Sequence, residues 1–149
     1  MATIDIIFAK PLDCYIEIVH NDELRSIRFL KNKENLKERR TQKITFELER
    51  YFKGEKIDFS CKFDISHLSP FAQKVLEKTK KIGYGETITY SELARIIGTS
   101  PRAAGRALSI NPLPVVIPCH RVVAKHGIGG YSAGVGIKIR LLELESIKL

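Results

Sequence analysis

"ETITYSELARIIGTSPRAAGRALSIN", residues 86–111, sets how the second half of this 149-residue chain folds. Thr89 stands three residues before Glu92, the spacing of a reciprocal cap at a helix start. Leu93, Ile96 and Ile97 then supply an apolar face, and Gly98 supplies a stop. Ser100 followed by Pro101 restarts a helix, with a capping side chain and a pre-set φ at its first position. Two short helices around a tight glycine-containing turn predict a helix-turn-helix. The second helix is built from Ala103, Ala104, Gly105 and Ala107, with Arg102 and Arg106 about one turn apart. Side chains this small let a helix backbone come close to another surface, either a neighbouring helix or a nucleic-acid groove with an arginine at the contact. Helices that read sequence in the major groove carry larger polar side chains. The pattern therefore predicts close approach with little sequence reading.

The next segment, "NPLPVVIPCHRVV" (111–123), has prolines at 112, 114 and 118, which exclude a regular helix and fix the chain path. Cys119 is thus carried on a stiff arm beside His120. A nearby imidazole can take a thiol proton and make the nucleophilic thiolate. Adjacent side chains of an extended chain point apart, so the expectation is a water between the two. From the residues alone, a buried structural cysteine stands level with a nucleophile. A metal site lacks further ligands at fitting spacing.

Working outward, "SPFAQKVLEK" (69–78) reads as a helix capped by Ser69, with Pro70 at its first position and Phe71, Val75 and Leu76 on one face. Gly83 and Gly85 would end it. Earlier still, "TIDIIFAK", "DCYIEIVH" and "LRSIRFLK" alternate as strands do. "KENLKERRTQKITFELERYFKG" (33–54) suggests one helix with Leu36, Ile44, Leu48 and Phe52 on a stripe and Gly54 as its stop, and "KIDFSCKF" (56–63) reads as a further strand. The expected division is therefore residues 1–64, a small sheet with one helix, and residues 65–149, the helix-turn-helix with the cysteine arm.

Charge follows this division. Residues 1–64 carry 13 Lys/Arg against 12 Asp/Glu, whereas residues 65–149 carry 12 against 5. The basic second half suggests a polyanion partner, with nucleic acid ahead of a merely basic surface. A hydrophobic fraction of 44% suits a packed core. No stretch approaches the roughly 18 apolar residues of a membrane span, and the N-terminus lacks the pattern of a signal peptide. The expectation is a cytoplasmic protein. Three cysteines without CxxC spacing argue against a disulfide framework or structural zinc. Cys14 and Cys61 read as small core residues, and a bridge between them is disfavoured in a reducing compartment. His20, His67 and His126 form no ligand pair, so neither metal nor cofactor is expected.

Taken together, "FAQKV", "YGETITYSELA", "SPRAAGRALSINP", "IPCHRVV" and "GGYSAGVGIKIRLLELE" closely resemble the O6-alkylguanine-DNA alkyltransferases, also called methylated-DNA–protein-cysteine S-methyltransferases. The resemblance covers residues 70–145, and the "IPCHRVV" signature is highly specific. Residues 1–64 share only the general layout. It implies an α+β fold: an N-terminal ribonuclease-H-like sheet-plus-helix domain, then a mainly α winged helix-turn-helix domain. It also implies DNA repair by irreversible transfer of the alkyl group from O6-alkylguanine in duplex DNA to Cys119, once per molecule, after base flipping. O4-alkylthymine is a further candidate substrate, and a non-catalytic sensor of alkylated DNA is the alternative. By motif, Cys119 is the acceptor, His120 its base through a water, and Glu145 the carboxylate that orients His120 and favours its protonated form. Glu143 falls out of register and faces solvent. Asn111 is the hinge between helix-turn-helix and arm. Tyr90 donates to guanine N3, and Arg102 fills the stack the base has left. Ser91, Ala103 and Lys125 join Tyr90 and Arg102 as DNA contacts in the minor groove. Tyr131 and Ser132 close over the base, and Pro114 and Val122 complete its pocket, with Val115–Ile117 and Val123 excluding water. The family's zinc ligands have no counterpart here. The partner implied is double-stranded DNA, bound by a monomer.

Overall fold

The computed structural model describes residues 2–31 and 35–147. Strands β1 (Thr3–Ala9), β2 (Cys14–His20) and β3 (Leu24–Leu30) form an antiparallel sheet with β2 in the centre. The period-2 pattern decides its faces. Ile7 pairs with Ile16, and Ile18 with Ile27, so these four apolar side chains are buried together. Helix α1 (Lys43–Phe52) brings Ile44, Leu48, Tyr51 and Phe52 into the same core.

The helix expected over 33–54 forms only in its second part; residues 33 and 34 lie outside the described residues. Arg39 instead exchanges two main-chain hydrogen bonds with Ile6 of β1, at 2.8 and 2.9 Å, extending the sheet edge. Buried Asp5 then accepts the Thr41 and Gln42 amides at 2.9 and 3.2 Å and the Thr41 and Thr45 hydroxyls at 2.7 and 2.5 Å. A strand carboxylate thus holds the Thr41 amide and that of the N-cap residue Gln42, fixing the chain just ahead of α1 so that the helix starts at Lys43. Burial alone would raise the Asp5 carboxyl, but the hydrogen bonds led by Thr45 outweigh it and hold it below its usual value. The strand expected over 56–63 also does not form. Only a parallel bridge from Phe63 to Leu24 is made, because the edge of β3 is reached through the Lys62 carbonyl and Asp64 amide, both 2.9 Å from Leu24.

The second half follows its capping residues closely. Helix α2 (Pro70–Thr79) has its Ser69 cap bonded to the Ala72 amide, though it ends at Thr79, before Gly83 and Gly85. Helix α3 (Tyr90–Ile97) carries the full Thr89–Glu92 capping box and stops at Gly98 with φ 85°. Helix α4 (Pro101–Ser109) has its Ser100 cap on the Ala103 amide. Each such cap contributes about 1 kcal/mol. Strands β4 (Ile88–Thr89) and β5 (Val122–Val123) form a short parallel ladder beside the helix pair, and helix α5 (Val135–Leu144) closes the fold. Buried residues of both halves make one continuous core. The Ile27 amide of β3 donates to the Pro112 carbonyl at 2.9 Å, tying the first sheet to the cysteine arm.

Candidate active site

The arm that bears the cysteine is held in a strained path. Val115 sits at φ 75°, a left-handed conformation that a β-branched residue adopts at a cost of order 1–3 kcal/mol. The surrounding bonds impose it. Ile117 donates its amide to Leu113 at 2.8 Å, while Asn111 donates its side-chain amide to the Ile117 carbonyl and accepts from the Leu113 amide, both at 2.9 Å. Asn111, at the end of the helix-turn-helix, therefore pins both limbs of the arm. Cys119–Arg121 form a 3-10 turn rather than the extended chain expected, since the Arg121 amide donates to Pro118 at 2.9 Å.

Cys119 is 7% exposed and lines a cavity of about 490 Å³. Tyr90, Arg102, Gly105, Tyr131 and Ser132 also line it, so the small-residue helix α4 forms one wall. A smaller cavity on Cys119, about 230 Å³, includes Asn111, Pro114, Tyr131 and Ser132. Val115–Ile117 and Val122 line neither cavity; they are buried in the core, and the pocket walls expected of them come from α4 and the 130–132 loop. Val123 lines a separate cavity, as does exposed Lys125 in the turn after β5. Ala103 faces a groove with Phe71 and Arg106, and Ser91 is exposed at the start of α3. Glu143 is exposed.

Behind the thiol lies a fully buried charge cluster. His120 places Nε2 2.7 Å from Glu145 Oε2. Arg121 donates to both carboxylate oxygens, at 2.8 and 3.0 Å, and to the Ile82 carbonyl at 2.7 Å. The Tyr51 hydroxyl and the Gly85 amide complete the set, at 2.5 and 3.1 Å. Burial pushes the Glu145 carboxyl up, yet His120, Arg121 and Tyr51 together hold it down to about 2. A carboxylate facing Nε2 fixes the proton on that nitrogen. Nδ1 is then the basic nitrogen, and it is buried with no hydrogen-bond partner among the described residues. Burial lowers the His120 pKa, while Glu145 pulls the other way, toward the protonated form as expected of it; burial outweighs that pull, so the resting imidazole is neutral. Burial likewise raises the Cys119 thiol above its ordinary value, against the opposing pull of Asn111, Tyr131 and Lys138. The resting pair is a neutral thiol and a neutral base.

Tyr90 stands at the other side of the cavity. Its hydroxyl donates to the Gly130 carbonyl at 3.2 Å, and Lys138 donates to the hydroxyl at 3.3 Å. Buried Lys138 also holds the Val122 and Gly130 carbonyls, at 2.7 and 3.0 Å, and burial pushes its pKa down to about 8. Gly129, at φ 81°, is required here: a Cβ would lie 2.7 Å from Tyr90 Cε2. Sequence reasoning missed Tyr51, Gly85, Arg121 and Lys138. Arg121 had a signal, a charge inside an apolar run; Tyr51 had none.

Residues 70–147 match the family model of the 6-O-methylguanine DNA methyltransferase DNA-binding domain. The chain belongs to this family. Among methyltransferase relatives, the methylated-DNA–protein-cysteine methyltransferase of Methanocaldococcus vulcanius is 56% identical over 82 residues, which is 55% of this chain and about half, 51%, of that relative. The O6-methylguanine methyltransferase of Mycobacterium tuberculosis superimposes with a TM-score of 0.83 at 30% identity, covering 97% of this chain and 93% of the other. The Mycobacterium tuberculosis OGT crystallised in complex with DNA gives 0.77 at 31% identity, over 91% and 88%. The family model covers the second half only, and the superposition on the Mycobacterium tuberculosis structure extends the likeness to the sheet and helix of the first half. Among the described residues no helix is long and apolar enough to cross a membrane.

Proposed function

We propose that this chain is a single-use DNA repair protein that moves the alkyl group of O6-alkylguanine in duplex DNA onto Cys119. One observation carries the reading: a cysteine opens into a cavity between Tyr90 and Arg102, with a neutral, carboxylate-anchored histidine as its sequence neighbour. The target carbon lies inside a duplex, so its nucleotide is flipped into the cavity. Arg102, on the rim, fills the gap left in the stack. Tyr131 and Ser132 close over the base, and the close approach allowed by α4 suits the minor groove. Phosphate contacts from basic residues, Lys125 among them, supply affinity without sequence preference. O4-alkylthymine is a second candidate substrate. Three free thiols fit a cytoplasmic, reducing compartment.

The chemistry is a displacement at carbon. His120 Nδ1 takes the Cys119 proton through a water, leaving a thiolate and an imidazolium facing Glu145. The sulfur bonds to the alkyl carbon, the carbon–oxygen bond breaks, and its electron pair goes to guanine O6. Tyr90 turns its hydroxyl from the Gly130 carbonyl to guanine N3 and donates a proton to the leaving base. The product is a thioether that no neighbouring group can cleave, so each molecule acts once. Incubation with duplex DNA carrying labelled O6-methylguanine should place one label per protein molecule and then stop. Continued turnover would overturn the single-use reading, and tight lesion binding without label on protein would favour the sensor, which the presence of Cys119 argues against.

Arg102 offers a separate test. Arg102→Ala should slow reaction with duplex lesions by about tenfold to a hundredfold, a loss of about 1–3 kcal/mol in the flipped state. Reaction with a free O6-benzylguanine base, which needs no flipping, should stay within about twofold by the same principle. Equal losses on both substrates would remove the stack-filling role.

A further inference from the structure

We propose that Tyr51, on helix α1 of the N-terminal half, is a positioning residue of the transfer site: by occupying one oxygen of Glu145 it keeps His120 in its neutral, proton-accepting form. The inference rests on the alkyl-transfer reading above and gives the N-terminal half a part in the chemistry.

Tyr51 is fully buried, and its hydroxyl donates at 2.5 Å to Glu145 Oε2, 94 residues away in sequence. That oxygen is the one facing His120 Nε2, and Arg121 Nη2 shares it at 3.0 Å. The phenol cannot turn away. Its ring is wedged against Phe52, Phe59 and Tyr84, with centroids 5.3, 5.8 and 6.1 Å off. It also stays a donor, because burial and the adjacent Glu145 push its own ionisation well above the ordinary tyrosine range.

The consequence follows from competition for one oxygen. A donor on Oε2 draws charge from the His120–Glu145 bond and so weakens the carboxylate's hold on an imidazolium. Other groups around the cluster act on the same balance. Arg121 and Lys138 disfavour the imidazolium, while Glu145 favours it. The Gly85 amide occupies Oε1, and Tyr84 packs under Arg121 with its hydroxyl on the Leu144 carbonyl. Cys119 is the thiol the base must serve. Of these, Tyr51 alone comes from the N-terminal half. Removing its hydroxyl leaves Oε2 freer for His120, so His120 should hold a proton up to higher pH.

Two substitutions test this with opposite signs. Tyr51→Phe deletes the donor without changing the ring, and site-specific 3-fluorotyrosine at position 51 makes the donor stronger. The readouts are the ¹⁵N titration of the His120 imidazole in the DNA-free protein and the pH profile of label transfer. Tyr51→Phe should move the His120 titration and the acid limb of transfer upward by about half to one pH unit, with 3-fluorotyrosine moving both downward. One label per molecule should still be transferred. An unchanged His120 titration, even with a lowered Tm, would make Tyr51 a packing residue and overturn the proposal, as would shifts of the same sign in both variants. Absence of transfer in the unaltered protein would instead sink the alkyl-transfer reading, and the His120 titration would still judge the coupling.

Discussion

Cys119→Ala should abolish alkyl transfer at every incubation time while duplex binding stays within about twofold. The expectation comes from where the thiol sits. Cys119 is buried at one wall of the cavity, whereas the exposed Arg102 and the small residues of α4 form the opposing wall, so removing the sulfur leaves the basic surface of α4 in place. Deleting one sulfur costs about 1 kcal/mol of burial, too little to unfold the chain. No other thiol can substitute. Cys14 is raised to about 11 by burial, Cys61 is also raised, and neither lines the cavity. The measurement is labelled duplex DNA followed by mass mapping of the modified peptide, beside fluorescence anisotropy on unreacted duplex. Label appearing elsewhere on the protein, or transfer surviving the substitution, would remove the assignment of Cys119 as acceptor.

Glu145→Gln should have the second large effect, on stability and rate together. Glu145 accepts five donors: one each from Tyr51, His120 and Gly85 and two from Arg121. A neutral amide leaves the buried Arg121 guanidinium without its counter-charge, a loss of about 3–5 kcal/mol and a fall in Tm of roughly 6–20 °C. His120 also loses the carboxylate that fixes its tautomer, so transfer should fall by about 10²–10⁴-fold, the range of general base catalysis. The pH dependence has a definite sign. The Glu145 carboxyl is depressed from 4.5 to about 2 in the fold, so its contribution is fully present above 4.5 and is lost as pH falls through about 2. It amounts to about 3 kcal/mol. His120, with a folded pKa below 6.5, adds acid sensitivity that begins below 6.5. Urea unfolding between pH 2 and 7 should therefore show a stability slope that flattens in Glu145→Gln over the lower part of that window. An unchanged slope would mean that Glu145 carries no such linkage.

The parts of the molecule legible in sequence are those with local causes. Ser69, Thr89 and Ser100 announce helices because a cap is a contact between residues three apart. The three strands are legible because the sheet buries one face and alternation records it. The helix start at Lys43 was not legible, because the residue that sets it is Asp5, on another element. The segment 56–63 has strand-like composition but meets β3 only at Phe63. At the site, Cys119 and His120 stand in the "IPCHRVV" motif and Tyr90 and Glu145 in separate motifs of the resemblance; the fold sets Cys119 and Tyr90 on one cavity and His120 against Glu145. Tyr51 joins that cluster from 94 residues away, in a helix whose apolar stripe explains its burial but not its hydroxyl. The pocket walls were misjudged for a related reason: Val115–Ile117 and Val122 are apolar enough for either role, and packing in three dimensions sends them to the core.

The resting neutrality of Cys119 bears on how long an unreacted molecule stays fit for use. Peroxide and small alkylating agents attack thiolates, and they do so fastest where the thiolate is exposed to water. Burial pushes the Cys119 thiol above its ordinary value, and only 7% of the residue is exposed. In the proposed reaction its ionisation waits on a proton path to His120 and on a base that fills the cavity, so background chemistry should consume few molecules. Under the single-use function proposed above, that burial would keep the reactive group chemically quiet through its waiting time, so that shelf life and selectivity for the lesion would share one structural cause.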